Sequence, residues 1–329
     1  MADKSKIKTV GLLCSGGDSS GMNSAIRAIV RTGIINNLKM VGIKKGYAGL
    51  LKSKFVDMDV SSVGNIIQRG GTILQTSRCP EFLKPEGRKL AFDNLKKNNI
   101  DALIVIGGDG SFNGANLFNL ETGMPVVGIP GTIDNDISGT EYTIGFDTAV
   151  SNAVEAVDKI RDTASSHERT FIVEVMGRSS QAIAIHVGVC TGAENVIFPT
   201  ETKIPYQEIA DNIQRGIKRG KNSSILIAAE GYKSGISYDI QTTLKEMFHI
   251  DSHVCILGHL QRGGSPTPKD RFVASEMGYL AVKALMNGEF PTATVVLNGK
   301  VQLTPLKNCL TKSNEYRPDL IELAKALSI

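Results

Sequence analysis

The run Asp101-Ala102-Leu103-Ile104-Val105-Ile106 constrains this chain more than any other feature. From Ala102 onward it is continuous, apolar and rich in β-branched side chains, the pattern of a strand buried on both faces. Such a strand belongs inside a parallel sheet covered by helices. Runs at 9–14, 40–43, 125–129, 169–175, 224–229 and 254–257 read the same way. Helical patterns separate them at 26–34, 149–164, 208–219, 240–248 and 270–286, with a terminal one at 318–327 that opens on Pro318. Residues 65–71 read as the end of a further helix, and 50–58 as a surface hairpin or loop. Strands alternating with helices imply an α/β fold with parallel sheets of the doubly wound kind. The 329 residues suggest roughly two domains. No repeat, low-complexity tract or linker separates them.

Doubly wound sheets keep their chemistry at the carboxyl ends of the strands. Here those ends carry reactive or flexible residues again and again. The first strand opens into Ser15-Gly16-Gly17-Asp18-Ser19-Ser20-Gly21-Met22-Asn23, a glycine-rich turn leading into a helix, which presents backbone N–H groups to an anion. It fits neither the P-loop nor the dinucleotide fingerprint. The 101–106 strand runs into Gly107-Gly108-Asp109-Gly110-Ser111, where a lone carboxylate among glycines suits a Mg²⁺-nucleotide. The next strand ends in Pro130-Gly131-Thr132-Ile133-Asp134-Asn135-Asp136, with two carboxylates and a hydroxyl. A carboxylate here is placed to accept a proton from an attacking hydroxyl. Later strands end in Met176-Gly177-Arg178, Glu230, and Gly258-His259-Leu260-Gln261-Arg262-Gly263-Gly264, while Arg78 sits in a loop before Cys79 and Pro80. Taken singly, each loop also reads as a plain turn of Gly, Asp and Asn. Together they suggest a nucleoside triphosphate, a metal carboxylate, a base and arginines for a second phosphorylated substrate: a small-molecule kinase.

Composition narrows the partners. A net charge of +4 is too mild to argue for nucleic acid, and with no Trp and 5% aromatic residues an aromatic stacking platform is not expected. Five scattered cysteines without a C-x-x-C pair fit a reduced chain. The opening residues 1–8 are charged, with no apolar signal segment, and no apolar run approaches the ~18 residues of a membrane helix. A cytoplasmic protein without a membrane partner is expected.

The motifs SGGD-x-x-GMN at 15–23, GGDGS at 107–111, PGTIDND at 130–136, MGR at 176–178 and GH-x-QRGG at 258–264 resemble the ATP-dependent 6-phosphofructokinases, in order and over nearly the whole chain. The resemblance implies two Rossmann-like domains with the active site in the cleft between them. One comprises 1–144 plus 261–310 and binds ATP and Mg²⁺; the other comprises 145–260 plus 311–329 and binds fructose 6-phosphate. It implies transfer of the ATP γ-phosphate to the sugar's 1-hydroxyl, with Asp134 as base, Thr132 and Ile133 beside it, and Asp109 holding Mg²⁺. Gly17, Arg78, Cys79, Gly108, Asp109, Gly110 and Ser111 would bind ATP, with Arg78 and Arg178 stabilising the transferring phosphoryl group. Arg169, Met176, Gly177, Glu230, His253, His259, Leu260, Gln261 and Arg262 would hold the sugar phosphate. Arg169 would reach a neighbouring subunit's site, implying a homotetramer. Pyrophosphate-using relatives carry Asp at the place of Gly110 and Lys at that of Gly131, so two glycines favour ATP. An ADP and phosphoenolpyruvate effector site is implied at Arg27, Arg31, Arg161, Glu194, Arg219 and Lys221. Arg27 and Arg31 also read simply as a solvated helix face. The alternatives are a non-catalytic regulatory subunit of the same fold, or a kinase for another small molecule that shares the GGDG turn.

This sequence departs from the family pattern at several points. Val60 stands where an arginine is typical of the effector site, and Asn222 and Ser223 replace basic residues there. Gln181 replaces a glycine common three residues after MGR. His253 replaces a second arginine that clasps the 6-phosphate. Histidine is only partly charged near neutral pH and has no guanidinium fork. His253→Arg is therefore expected to lower the KM for fructose 6-phosphate and flatten its pH dependence near neutrality, measured by initial rates across pH; an unchanged KM would contradict this.

Overall fold

The computed structural model describes residues 7–166, 169–198, 204–231, 234–310 and 318–327. Residues 1–6 of the charged opening stretch lie outside the described residues. The chain divides into two compact units, one of residues 1–148 and 262–313, the other of 149–261 and 314–329.

The first unit is built on β1 (Thr9–Ser15), α1 (Met22–Ile35), β2 (Lys39–Ile43), α2 (Gly46–Leu51), β3 (Phe55–Met58), α3 (Pro85–Lys97), β4 (Ala102–Gly107), α4 (Asp109–Thr122) and β5 (Val126–Pro130). The chain leaves it through α5 (Phe146–Ser166). The second unit then adds β6 (Thr170–Val175), α6 (Ala182–Thr191), β7 (Asn195–Ile197), α7 (Tyr206–Lys218), β8 (Ser224–Ala229), α8 (Ile236–Phe248) and β9 (Ser252–Ile256). The first unit is completed by α9 (Pro268–Asn287), β10 (Thr292–Leu297) and β11 (Lys300–Pro305), and the second by α10 (Pro318–Leu327).

The first sheet has seven strands in the order β11-β10-β5-β4-β1-β2-β3. Its centre is parallel, as the continuous apolar runs require: every residue of β1, β4 and β5 is buried. Both ends are capped by antiparallel pairs, β2 with β3 and β10 with β11. The order reverses between β1 and β4, so their carboxyl ends diverge and leave a crevice. Leu13, Ile43, Leu103, Val105, Phe112 and Phe118 form one buried cluster beneath it. On the opposite face α1 lies so close to α9 that a Cβ on Gly278 would stand 2.7 Å from the Ala25 carbonyl. The second sheet is wholly parallel, ordered β7-β8-β6-β9, and reverses between β6 and β9. Its core gathers Ile172, Leu226 and Ala228 from the strands with Ile209, Ile213, Ile240 and Leu244 from the helices.

One expectation is overturned. Residues 65–71 are turns, not the end of a helix. Asn65 and Gly71 both take positive φ, and buried Asn23 engages the backbone that a helix would have used: its Nδ2 donates to the Arg69 and Gly70 carbonyls, and its Oδ1 accepts from Ile73 N–H. Residues 50–58, expected as a surface hairpin or loop, hold β3, which pairs antiparallel with β2, and begin with Leu50, fully buried near the end of α2. Helices α3, α4 and α6 were not legible. The start of α4 is rich in Gly and Asn, poor helix formers, and α6 is apolar on all sides, which erases the 3.6-residue signal.

Phe112, fully buried at the heart of the first unit, should be costly to truncate. Phe112→Ala is expected to lose about 3–5 kcal/mol, read as a lower urea midpoint of the circular dichroism transition assigned to that unit.

Candidate active site

Three loops meet at the reversal between β1 and β4. The register pairs Ser15 with Gly107 and Gly107 with Pro130, so the three strands end level. Gly107 must be glycine, because a Cβ there would lie 2.5 Å from both the Ser15 carbonyl and Ser111 Oγ. Gly16 and exposed Gly17 follow β1, with Gly16 at positive φ. What was expected as a GGDGS turn is tighter than that: Gly108 alone links β4 to α4, and Asp109 is the helix's first residue. The helix dipole favours a carboxylate there. Asp109 is partly exposed, and its Oδ1 accepts from Asn113 Nδ2 at 3.0 Å. Tyr47 donates its hydroxyl to the Ser111 carbonyl at 2.7 Å, while its ring stacks on Phe82 at 3.9 Å. Burial pushes the Tyr47 phenol up, so it remains a donor.

The third loop follows β5. Gly131 N–H donates to the Gly107 carbonyl, and Thr132 Oγ1 accepts from Asp134 N–H at 3.2 Å. A Cβ added to Gly108 would be 3.5 Å from Thr132 Cβ, which places the Thr132 side chain against the Gly108 turn. Ile133 is buried and Asp134 is 9% exposed. Thr143 Oγ1 holds the Thr132 carbonyl at 2.6 Å, and Ile144 N–H holds that of Pro130.

That strap ends on Asp270, fully buried on α9. Its two oxygens accept from Tyr142 Oη, Gly145 N–H, Thr148 N–H and Thr148 Oγ1. Burial pushes its carboxyl up, and the hydrogen bonds pull the other way. Sequence reading passed over Asp270 as a helix start; an acid in the first turn of a helix carries no other signal.

The remaining first-unit residues are placed as follows. Arg78 is exposed, and partly buried Cys79 precedes a 3₁₀ turn, Pro80–Leu83. Burial pushes the Cys79 thiol up, so it offers an apolar surface and not a thiolate. Arg262 belongs to the first unit: its Nη1 donates to the Asp18 carbonyl at 3.0 Å, and a Cβ on Gly17 would meet it at 2.9 Å. Arg27 and Arg31 lie on α1.

In the second unit the loops after β6, β8 and β9 hold the other candidates. Gly177 and Arg178 both take positive φ, and Arg178 is exposed, while Met176 is buried. Glu230 is partly exposed, and its N–H donates to the Val175 carbonyl. His259 and Leu260 are exposed, whereas Gln261 is buried and accepts from Met176 N–H at 2.8 Å. Gln261 thus ties two loops together. His253 is exposed on β9 with its ring 5.3 Å from that of Phe171, and Arg169 is exposed just before β6. Of the effector candidates, Arg161 donates to the Thr191 carbonyl at the end of α6. Buried Glu194 accepts from Lys221 Nζ at 2.7 Å and from Ile225 N–H, while Arg219 is exposed.

Among the described residues no group of three or more His, Cys, Asp and Glu side chains is arranged to hold a metal ion. A single carboxylate beside anion-binding loops is the donor set Mg²⁺ uses when phosphate oxygens complete its shell, and Asp109 fits it. Among those residues no helix is long and apolar enough to cross a membrane. All five cysteines are free.

Fold and site define a class: a doubly wound α/β protein with glycine-rich strand ends beside two carboxylates. The phosphofructokinase family model matches residues 9–285. An ATP-dependent 6-phosphofructokinase of Thermoanaerobacter sp. (strain X514) is 49% identical over 324 residues, 98% of this chain and all of the relative. ATP-dependent 6-phosphofructokinase 1 of Thermus thermophilus is 47% identical over 323 residues, again 98% of this chain and all of the relative. The phosphofructokinase structure from Saccharomyces cerevisiae superposes with a TM-score of 0.86 at 35% identity, covering 98% of this chain and 48% of the yeast chain. This chain belongs to the phosphofructokinase family.

Asp270→Asn would turn an amide NH₂ toward one of the buried donor pairs. It is expected to cost about 2–4 kcal/mol and to lower the thermal midpoint; an unshifted midpoint would show that the clamp does not hold the 142–148 segment.

Proposed function

We propose that this chain transfers the γ-phosphoryl group of ATP to the 1-hydroxyl of fructose 6-phosphate, giving fructose 1,6-bisphosphate and ADP, the committed step of glycolysis. The observation that carries it is the placement of Asp109 and Asp134 at the ends of adjacent strands, bracketed by Gly16–Gly17 and Gly108. Relatives at 47–49% identity over their whole length support the same reading.

In this reading Asp134 takes the proton of the sugar's 1-hydroxyl as that oxygen attacks phosphorus. Its near-complete burial shields the carboxylate from bulk water. Thr132 holds the Asp134 backbone and faces the nucleotide loop. The N–H groups of residues 17 and 108–110 receive the phosphates at the start of α4, and Ser111, whose N–H donates to the Gly108 carbonyl, completes the ATP-binding turn. Asp109 would hold Mg²⁺; the bound ion neutralises charge on the β- and γ-phosphates. Arg78 and Arg178 stabilise the charge of the transferring group, and the contact of Arg262 with the Asp18 carbonyl supports a place for it beside the phosphate loop. Arg169, Met176, Gly177, Glu230, His253 and His259 hold the sugar phosphate, with Gln261 acting through Met176. Two features favour ATP over pyrophosphate: Gly110 has nothing within 4 Å of where a Cβ would stand, and Gly131 is packed against Ile106 and Met22, leaving no side chain in the nucleotide's way. We place the protein in the cytoplasm as a homotetramer. The site at Arg27, Arg31, Arg161, Glu194, Arg219 and Lys221 would bind ADP or phosphoenolpyruvate in a form altered by Val60, Asn222 and Ser223.

A coupled assay for fructose 1,6-bisphosphate, run with ATP–Mg²⁺ and in parallel with pyrophosphate, tests the function. Turnover is expected with ATP alone, and Asp134→Asn is expected to lower kcat by ~10²–10⁴-fold, the contribution of a positioned base. No turnover with either donor from folded protein that binds ATP would favour a regulatory subunit instead.

A further inference from the structure

Glu174 is the penultimate residue of β6, where the apolar run Phe171-Ile172-Val173 would lead one to expect core packing and nothing more. It is 1% exposed, yet among the described residues no basic side chain forms an ion pair with it. Its carboxylate instead accepts four hydrogen bonds from the start of α8: Ser234 Oγ at 3.1 Å, Gly235 N–H at 2.7 Å, Ser237 N–H at 3.0 Å and Ser237 Oγ at 2.6 Å. The residue that precedes α8, Gly235, has no side chain and takes φ 101°, so the helix cannot cap itself in the usual way. Glu174 provides the missing cap from a neighbouring strand, and its charge sits at the positive end of the α8 dipole.

The position of this clamp gives it a second consequence. Glu174 is two residues before Met176 and four before Arg178. The segment it grips follows Glu230, whose own N–H is held by the Val175 carbonyl. The Glu174 carbonyl accepts from Leu257 N–H, at the entrance to the 258–262 turn. Residues 174–176 therefore serve as one anchor for all three strand-end loops of the second unit, and the Glu174 carboxylate is the only ionisable group in that anchor.

We infer that Glu174 is a positioning residue for the sugar-phosphate half of the reaction: by capping α8 it fixes the loop that carries Glu230 relative to the Met176–Arg178 turn. This rests on the function proposed above. Glu174→Gln keeps the size but turns an NH₂ toward backbone N–H donors. In the full-length chain the expected result is a KM for fructose 6-phosphate raised about tenfold, since small misplacements of binding groups are costly. The KM for ATP should stay within about twofold, and amide exchange at Gly235 and Ser237 should accelerate. Glu174→Asp, which retains the charge, should recover part of the sugar affinity. If Glu174→Gln does not fold, Ser237→Ala removes one donor and is read in the same way. Sugar and nucleotide constants that move together, or an unchanged sugar KM, would overturn the inference. Absence of turnover in the unmodified chain would instead overturn the functional reading, a result the variants cannot mimic.

Discussion

The level ending of three parallel strands is the constraint on which the rest depends. β1, β4 and β5 stop side by side at Ser15, Gly107 and Pro130, and the reversal of strand order between the first two opens a crevice at that line. Gly107 makes the arrangement possible, because any side chain would collide with the Ser15 carbonyl and with Ser111. Once the backbones have closed to that distance, the N-terminus of α4 has only one place to point. The carboxylate at its first position and the one four residues beyond Pro130 then follow the level ends of adjacent strands. A phosphoryl-transfer site needs fixed charges and little covalent chemistry, and main chain is the stiffest available means of fixing them.

Loops at strand ends are free to move unless something holds their far side. Both units meet that need in the same manner, with a fully buried carboxylate that accepts four hydrogen bonds and so leaves no oxygen of its own unsatisfied. Asp270 holds 142–148 behind the Asp134 loop, and Glu174 holds 234–237 behind Glu230. An unpartnered buried charge would be costly, but a carboxylate ringed by donors is well accommodated and highly directional. The two acids share neither sequence context nor element type, one being on a helix and the other on a strand.

Much of this was legible in the sequence because parallel strands leave an unmistakable mark. The 101–106 run, the glycines after it and the paired acids of PGTIDND point on their own to a doubly wound sheet and a kinase-like site. What could not be read had physical reasons. The turns at 65–71 owe their shape to Asn23, some forty residues earlier in the chain, and no local pattern announces a distant capping side chain. The apolar α6 has no polar face to betray its period. Asp270 and Glu174 look like an ordinary helix acid and an interruption in a strand, and only their donors give them meaning. Gln261 and Glu194 were expected as ligand groups, and the hydrogen bonds they accept from Met176 N–H and from Lys221 and Ile225 N–H carry no local signal.

In the proposed reaction the nucleotide rests on strand-end loops of the first unit and the sugar phosphate on those of the second, with Asp134 of the first unit as base. Amide hydrogen exchange on the full chain, with a non-hydrolysable ATP analogue and Mg²⁺ or with fructose 6-phosphate, tests it most directly. The nucleotide should protect residues 16–20, 78–83 and 108–113, and the sugar phosphate should protect 176–181, 230–231 and 258–261. Protection by both ligands confined to the same segments, or protection by neither at any of these loops, would contradict it.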